Sequence, residues 1–300
     1  MADIARTEES LVIANGITLC WQSFGDERAE PLLLIMGLGA QMVMWDDAFC
    51  ERLAGRGFRV IRFDNRDIGR SQLMSGGERV TFAELIGLSM AGKPIPAAYL
   101  LKDMAADAIG LLDALNIPAA HIVGLSMGGA IAQEMAIGWP ARVKTLTSIM
   151  ASPGGGGLPP PTPEAAAVLM TPPPQSKEEY FAQFPRTWKV LRAGSFPQDE
   201  AEDLARAEKN WTRGLNPAGV GRQLVAIFAS GSRRERLASV SAPTLVIHGA
   251  RDPLVPIEHG EIVRQCVPGA TMLRLDDMGH ALTRPHWDAV INAISAQAQR

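Results

Sequence analysis

Five residues constrain this chain more than any other stretch: Gly124-Leu125-Ser126-Met127-Gly128. The run His121-Ile122-Val123 ahead of them predicts a short buried strand, and Gly129 to Trp139 behind them predicts a helix. A Gly-x-Ser-x-Gly at that junction demands a turn so sharp that the serine hydroxyl stands clear of the sheet at a helix N-terminus. Small residues two before and two after the serine keep neighbouring chain out of the way. Composition alone produces the bare pattern in roughly one such chain in seven, so the context decides what it means.

The context is an alternation of strands and helices. Leu11 to Ala14 and Ile17 to Phe24 read as strands joined by Asn15-Gly16, a hairpin turn that makes the start of the chain antiparallel. Leu32 to Met36 and Val60 to Phe63 are short apolar runs flanking a helical segment, Asp47 to Arg56, the pattern of buried parallel strands with a crossover helix. Leu101 to Asn116 carries apolar residues at spacings of three and four and ends before Pro118. After the helix that follows Ser126, Val143 to Met150 reads as a sixth strand. The rhythm then breaks at Ser152-Pro153, where four glycines and a series of prolines predict an irregular linker. Lys177 to Gln183, Asp199 to Trp211 and Ala218 to Ser230 look helical, and no strand is expected until Thr244 to Ile247. Ile257 to Cys266 (helix), Thr271 to Leu275 (strand) and Pro285 to Ala298 (helix) complete the chain. The expected organisation is one α/β core, residues 1–152 and 239–300, enclosing a helical cap at 153–238.

Bulk properties exclude several classes. With 29 basic against 32 acidic residues and no basic block, nucleic acid is not an expected partner. The N-terminal nine residues hold two glutamates, an aspartate and an arginine where a secretory leader needs an apolar run, and no apolar stretch approaches a membrane span. A cytoplasmic protein without membrane contact is expected. Cys20, Cys50 and Cys266 are odd in number and far apart, the usage of free thiols rather than disulfides or a metal site. No cofactor is implied. The oligomeric state is open, and a homodimer is compatible with the sequence.

A serine needs a base to take its proton and a third group to orient that base. His280, in Met278-Gly279-His280-Ala281, follows the last strand and falls at the carboxyl edge of the sheet, the edge that delivers Ser126. His121 precedes its strand and belongs at the opposite edge, His248 precedes the acid candidate, and His259 and His286 fall on helices. For the acid, Asp252 sits just past the strand ending near Ile247, which gives the chain order Ser126, Asp252, His280. Asp276 and Asp277 lie too close to His280 in sequence to reach back to it. Two N–H donors are needed for a tetrahedral oxyanion: Met127, next after the serine, and Leu38, in the glycine-rich loop Gly37-Leu38-Gly39-Ala40. Trp45, Met150, Leu254, Trp188 and Trp211, with Met42, Met44 and Phe228, are candidates for an apolar substrate pocket.

These residues resemble the α/β-hydrolase fold superfamily, in its esterase, haloperoxidase and methylesterase branch. Gly124 to Gly129 is similar to the family's nucleophile elbow, and Asp64-Asn65-Arg66-Asp67-Ile68-Gly69-Arg70-Ser71 to its Asp-x-Arg-x-x-Gly-x-Ser loop. His248-Gly249-x-x-Asp252 and Gly279-His280 are similar to its acid and base signatures. The resemblance implies a mostly parallel, eight-stranded sheet with helices on both faces and a helical cap inserted after the sixth strand. It further implies a catalytic triad of Ser126, Asp252 and His280 with Leu38 and Met127 as oxyanion donors. Where the family often has His-Gly before the oxyanion residue this chain has Met36-Gly37, which with the proline-rich cap entry looks more like the polyketide methylesterases. Relatives that open epoxides or remove halogen carry aspartate at the elbow; serine implies an acyl-enzyme. The expected activity is hydrolysis of small to medium apolar carboxylic esters. Perhydrolysis or acyl transfer would use the same residues, and a non-catalytic ligand-binding homologue would need none of them.

Overall fold

A computed structural model describes residues 4–77, 80–195 and 199–299. Met1 to Asp3, part of the stretch read for a leader, lie outside them. The chain opens with β1 (Ser10–Ala14) and β2 (Ile17–Phe24), paired antiparallel through the Asn15-Gly16 turn, where both residues have positive φ. Then follow β3 (Glu30–Ile35), α1 (Asp47–Ala54), β4 (Phe58–Phe63), α2 (Phe82–Met90), α3 (Leu101–Ala114), β5 (Ala120–Leu125), α4 (Met127–Gly138) and β6 (Val143–Ile149). The eight-stranded sheet has the order β1-β2-β4-β3-β5-β6, then β7 (Thr244–Gly249) and β8 (Thr271–Leu275), and every pairing from β4 to β8 is parallel.

Both faces of this sheet are covered, which is why its central strands read as unbroken apolar runs rather than alternations. Leu33, Ile35, Ile61, Phe63 and Ile122 point to one face, where they meet α3 and α4. Leu32, Leu34, Val60 and Val123 point to the other, against Phe49 and Cys50 of α1 and Trp287, Val290 and Ile291 of α11 (Trp287–Ala298). Alternate residues of one strand therefore anchor opposite helix layers.

Between β6 and β7 come α5 (Pro163–Met170), α6 (Lys177–Arg192), α7 (Glu200–Arg213), α8 (Pro217–Ala229) and the short α9 (Arg234–Leu237), while α10 (Ile257–Cys266) packs on β7. Four helices depart from the sequence reading, the single turn of α9 among them. α2 begins at a capping box, with Thr81 and Glu84 bonded reciprocally. α5 sits inside the proline-rich stretch read as linker, with Thr162 as N-cap and Pro163 at the first helical position, where its missing N–H is harmless. α6 runs nine residues beyond Gln183 and passes through Pro185. Proline weighs against a helix interior, and here α6 is held instead by its packing against α7, where Tyr180 meets Trp211 and Arg192 pairs with the buried Asp203.

The inserted segment is fastened at its entry by His259 of α10. Its Nδ1 lies 2.9 Å from the Ser152 Oγ and its Nε2 2.9 Å from the Pro159 carbonyl. Burial holds the imidazole below its ordinary value of 6.5, the Pro159 carbonyl opposing in part. The unfolded chain therefore takes up a proton near pH 6.5 that the folded chain refuses, so this group's contribution is complete above 6.5 and declines below it. His259→Gln is expected to lower the melting temperature at pH 7.5 and to lower it by less at pH 5.5, as thermal unfolding at the two pH values will show.

Candidate active site

β5 ends at Leu125 and α4 begins at Met127, leaving Ser126 alone to turn the chain. It does so with φ 57° and ψ −120°, a conformation foreign to residues with a Cβ. The turn is possible because its flanks are bare. A Cβ on Gly124 would strike the Gly128 carbonyl, one on Gly128 the Ile35 carbonyl, and one on Gly129 the Ala151 side chain. The glycines are required by close backbone approach, and they press the first turn of α4 against the ends of β3 and β5.

Three side chains from separate loops meet here. His280 Nε2 lies 3.0 Å from Ser126 Oγ, and His280 Nδ1 lies 2.7 Å from Asp252 Oδ2. Both distances are within hydrogen-bond reach of a nucleophile–base–acid relay. Because a carboxylate oxygen accepts, the proton belongs on Nδ1, which leaves Nε2 as acceptor for the serine hydroxyl. The other Asp252 oxygen takes the amides of Leu254 at 2.9 Å and Val255 at 2.8 Å, so the turn after β7 locks the carboxylate. Behind it, the fully buried His248 donates from Nε2 to the Val255 carbonyl, and burial lowers its pKa despite the pull of Asp252. His248 Nε2 also stands 3.6 Å from the Asp252 Oδ2, so on that oxygen the 2.7 Å contact from His280 is the hydrogen bond.

The other candidates separate cleanly. His121 stands at the opposite edge of the sheet beside Glu30, Asp276 pairs with Arg274, and Asp277 pairs with His286. Gly37 lies against Ser126: a Cβ there would stand 3.2 Å from the serine Cβ. The loop carrying Leu38 thus borders the serine, and Met127 opens α4 beside it. Among the described residues neither amide finds a protein acceptor.

A cavity of about 420 Å³ opens over Ser126, with His280 in its wall. Leu38, Trp45, Leu254 and Trp188 line it. Met150 and Trp211 do not. Met150, with φ 43° at the end of β6, turns its side chain into the core between sheet and helices, fully buried. Trp211 stands one layer back, its ring 5.7 Å from that of Tyr180. Trp188 is the one member of its stripe that the sequence singles out; Tyr180 and Phe184, spaced four apart with it on α6 and also on the cavity wall, are not among the sequence candidates. The expected helix, Lys177 to Gln183, stops short of Phe184 and Trp188, so the four-residue spacing does not register as one face.

The profile of the alpha/beta hydrolase fold matches residues 30–283. The chain belongs to the alpha/beta hydrolase fold family. This hydrolase is 29% identical to the rhodomycin D methylesterase DauP of Streptomyces sp. (strain C5), covering 96% of this chain and 97% of that protein. It is 26% identical to a putative carbamate hydrolase, RutD, of Azorhizobium caulinodans, covering 84% and 85%. Among solved structures, the enol-lactonase from Burkholderia xenovorans LB400 shares the fold with a TM-score of 0.75 at 22% identity, covering 97% of this chain and all of that one. No helix among the described residues is long and apolar enough to cross a membrane.

Backbone strain at Ser126 of this alpha/beta hydrolase has a measurable consequence. Such a conformation costs about 1–3 kcal/mol, which glycine does not incur. Ser126→Gly is expected to raise the unfolding free energy by about 1 kcal/mol in chemical denaturation, the relief of strain exceeding the added entropy of the unfolded chain, and an unchanged or lowered midpoint would show that strain at the turn does not exceed that entropy.

Proposed function

We propose that this hydrolase cleaves carboxylic esters of apolar acids through an acyl-enzyme on Ser126. The single observation carrying the reading is the Ser126–His280–Asp252 relay, at 3.0 and 2.7 Å, opening on an apolar cavity. As His280 takes the hydroxyl proton on Nε2, the Ser126 oxygen bonds to the ester carbonyl carbon and the carbonyl electrons move onto oxygen. The Leu38 and Met127 amides hold that oxyanion, while Asp252 orients the ring and stabilises its positive charge. Collapse expels the alcohol, which leaves with the proton from His280. Water, deprotonated by the same imidazole, then releases the acid.

The chemistry of serine favours acyl transfer, and the cavity favours an apolar acyl group. A volume of about 420 Å³ is in the range of sites that enclose drug-sized molecules. Trp45, Trp188 and the α6 aromatics supply large, rigid apolar contact area over that group. The similarity along nearly the whole chain to a rhodomycin D methylesterase makes methyl esters of bulky apolar acids the first substrates to test. The cytoplasm and a purely small-molecule partnership remain part of this proposal.

The test is kinetic. Ser126→Ala is expected to lower kcat on p-nitrophenyl and methyl esters roughly 10⁴-fold or more, with an unchanged circular dichroism spectrum. Asp252→Asn is expected to lower kcat by ~10⁴-fold at neutral pH, because the amide would favour the wrong imidazole tautomer. Wild-type turnover by the alanine variant, or failure of a fluorophosphonate probe to label the native serine, overturns the reading.

A further inference from the structure

We infer that Gln223, on the cap helix α8, is a positioning residue that holds the oxyanion loop in its working geometry; the inference rests on the acyl-transfer reading of Ser126. Gln223 is fully buried and touches neither Ser126 nor the cavity. Its Oε1 accepts the Gly39 amide at 3.0 Å, and its Nε2 donates to the Arg66 carbonyl at 2.9 Å. One side chain from the inserted segment thus ties the loop after β3 to the loop after β4.

Peptide planarity makes that tie directional. The Gly37 carbonyl accepts the Ala40 amide at 3.3 Å, closing a tight turn over residues 37–40. In a trans peptide the N–H points opposite to the carbonyl, so turning the Gly37 oxygen towards Ala40 aims the Leu38 N–H the other way. Gly37 itself lies against Ser126. Inside this turn Gly39 adopts φ +67°, and its amide, the one held by Gln223, is the next along the chain from that of Leu38. Val220, one turn earlier on α8, packs where a Gly39 Cβ would begin, 3.1 Å away. Without Gln223 the Gly39 amide loses its acceptor, and a loop built on glycines is free to reorient.

The loop's two ends are pinned separately. Asn65 Nδ2 donates to the Met36 carbonyl at 3.0 Å. Gln41 Nε2 donates to the carbonyls of Asn210 and Gly214, at 2.9 and 2.8 Å, and Gln41 Oε1 accepts from Arg213. Gln223 holds the middle, where the Leu38 amide must be aimed. A shift of about 1 Å in a transition-state donor costs on the order of 100-fold in rate while ground-state binding is kept.

Gln223→Met keeps the side-chain shape and removes both hydrogen bonds. Its expected kcat on a p-nitrophenyl ester is about 10- to 100-fold below wild type with KM within about twofold. Affinity for an aryl trifluoromethyl ketone, whose carbonyl carbon adds the Ser126 oxygen to form a tetrahedral oxyanion, is expected to fall by the same factor. Gln223→Glu keeps an acceptor for the Gly39 amide and, as the neutral acid that so buried a site favours, an O–H donor for the Arg66 carbonyl, and is expected to restore kcat towards wild type. If the methionine variant does not fold, Gln223→Asn, one methylene too short to span both partners, carries the same expectation. Wild-type kcat and ketone affinity in a folded variant overturn the inference, as does a loss confined to melting temperature or KM. Ser126→Ala measured alongside separates the two levels: its retained activity would remove the acyl-enzyme reading, whereas its loss beside a fully active Gln223→Met would remove only the positioning role.

Discussion

Contact of backbone with backbone at Gly128 governs the rest of the molecule. Only without a Cβ there can the first turn of α4 come down on the carbonyls of Ile35 and Met36, and only with Gly124 can the strand before it pass so close beneath. The helix is then driven into the interior: Met127 to Ala136 are all buried, so α4 shows no polar face towards water. That burial offsets the cost of holding Ser126 at positive φ, because the turn cannot relax without lifting the helix off the sheet. The same contact sets β3 and its following loop beside the serine. One close approach therefore places both a hydroxyl and the backbone amides that flank it.

The segment between β6 and β7 is joined to this centre by directional polar contacts as much as by apolar packing. Arg222 holds Asp67 with bonds of 2.9 and 2.7 Å, Tyr99 adds a third at 2.7 Å, and Asn216 bonds the Asp67 carbonyl at 2.9 Å. Arg213 reaches Asp64, which also accepts the Met42 amide. On the other side of the serine, the His280 amide donates to the Leu191 carbonyl at the end of α6 at 2.7 Å. Buried polar contacts of this kind specify one arrangement, since each group left unpaired costs more than the pair gains. The helices over the cavity are thus part of what holds the loop after β4 and the loop of His280 in place, besides forming a wall.

Much of this was legible beforehand, for physical reasons that differ from element to element. The doubly covered strands betray themselves as short apolar runs, and Asn15-Gly16 can hardly be other than a turn. Ser126, Asp252 and His280 share an edge because each follows a strand of a parallel sheet, so strand order alone brings their loops together. The signals for α2 and α5 were present as Thr81 with Glu84 and as Thr162-Pro163, but they are local capping signals in stretches whose weak periodicity hid them. α6 extends past Gln183 because packing against α7 carries it through Pro185, which local preference does not reveal. Met150 and Trp211 sat at plausible positions along the chain. Their side chains turn away, by a positive φ in one case and by a second aromatic layer in the other.

Sequence by itself determined the strand–turn–helix at Ser126, the alternation that makes a parallel sheet, and the chain order of serine, acid and base. Those depend on local sterics and on periodicity, which are written in neighbouring residues. Tertiary structure alone decided which side chains face the cavity, that His248 is sealed behind Asp252, and that Gln41 and Gln223 meet the loop around Leu38. Gln223 and Gly39 lie 184 positions apart. No local preference marks a glutamine as the partner of so distant an amide; the bond exists because a polar group buried between two packed layers must find whatever partner the fold brings to it.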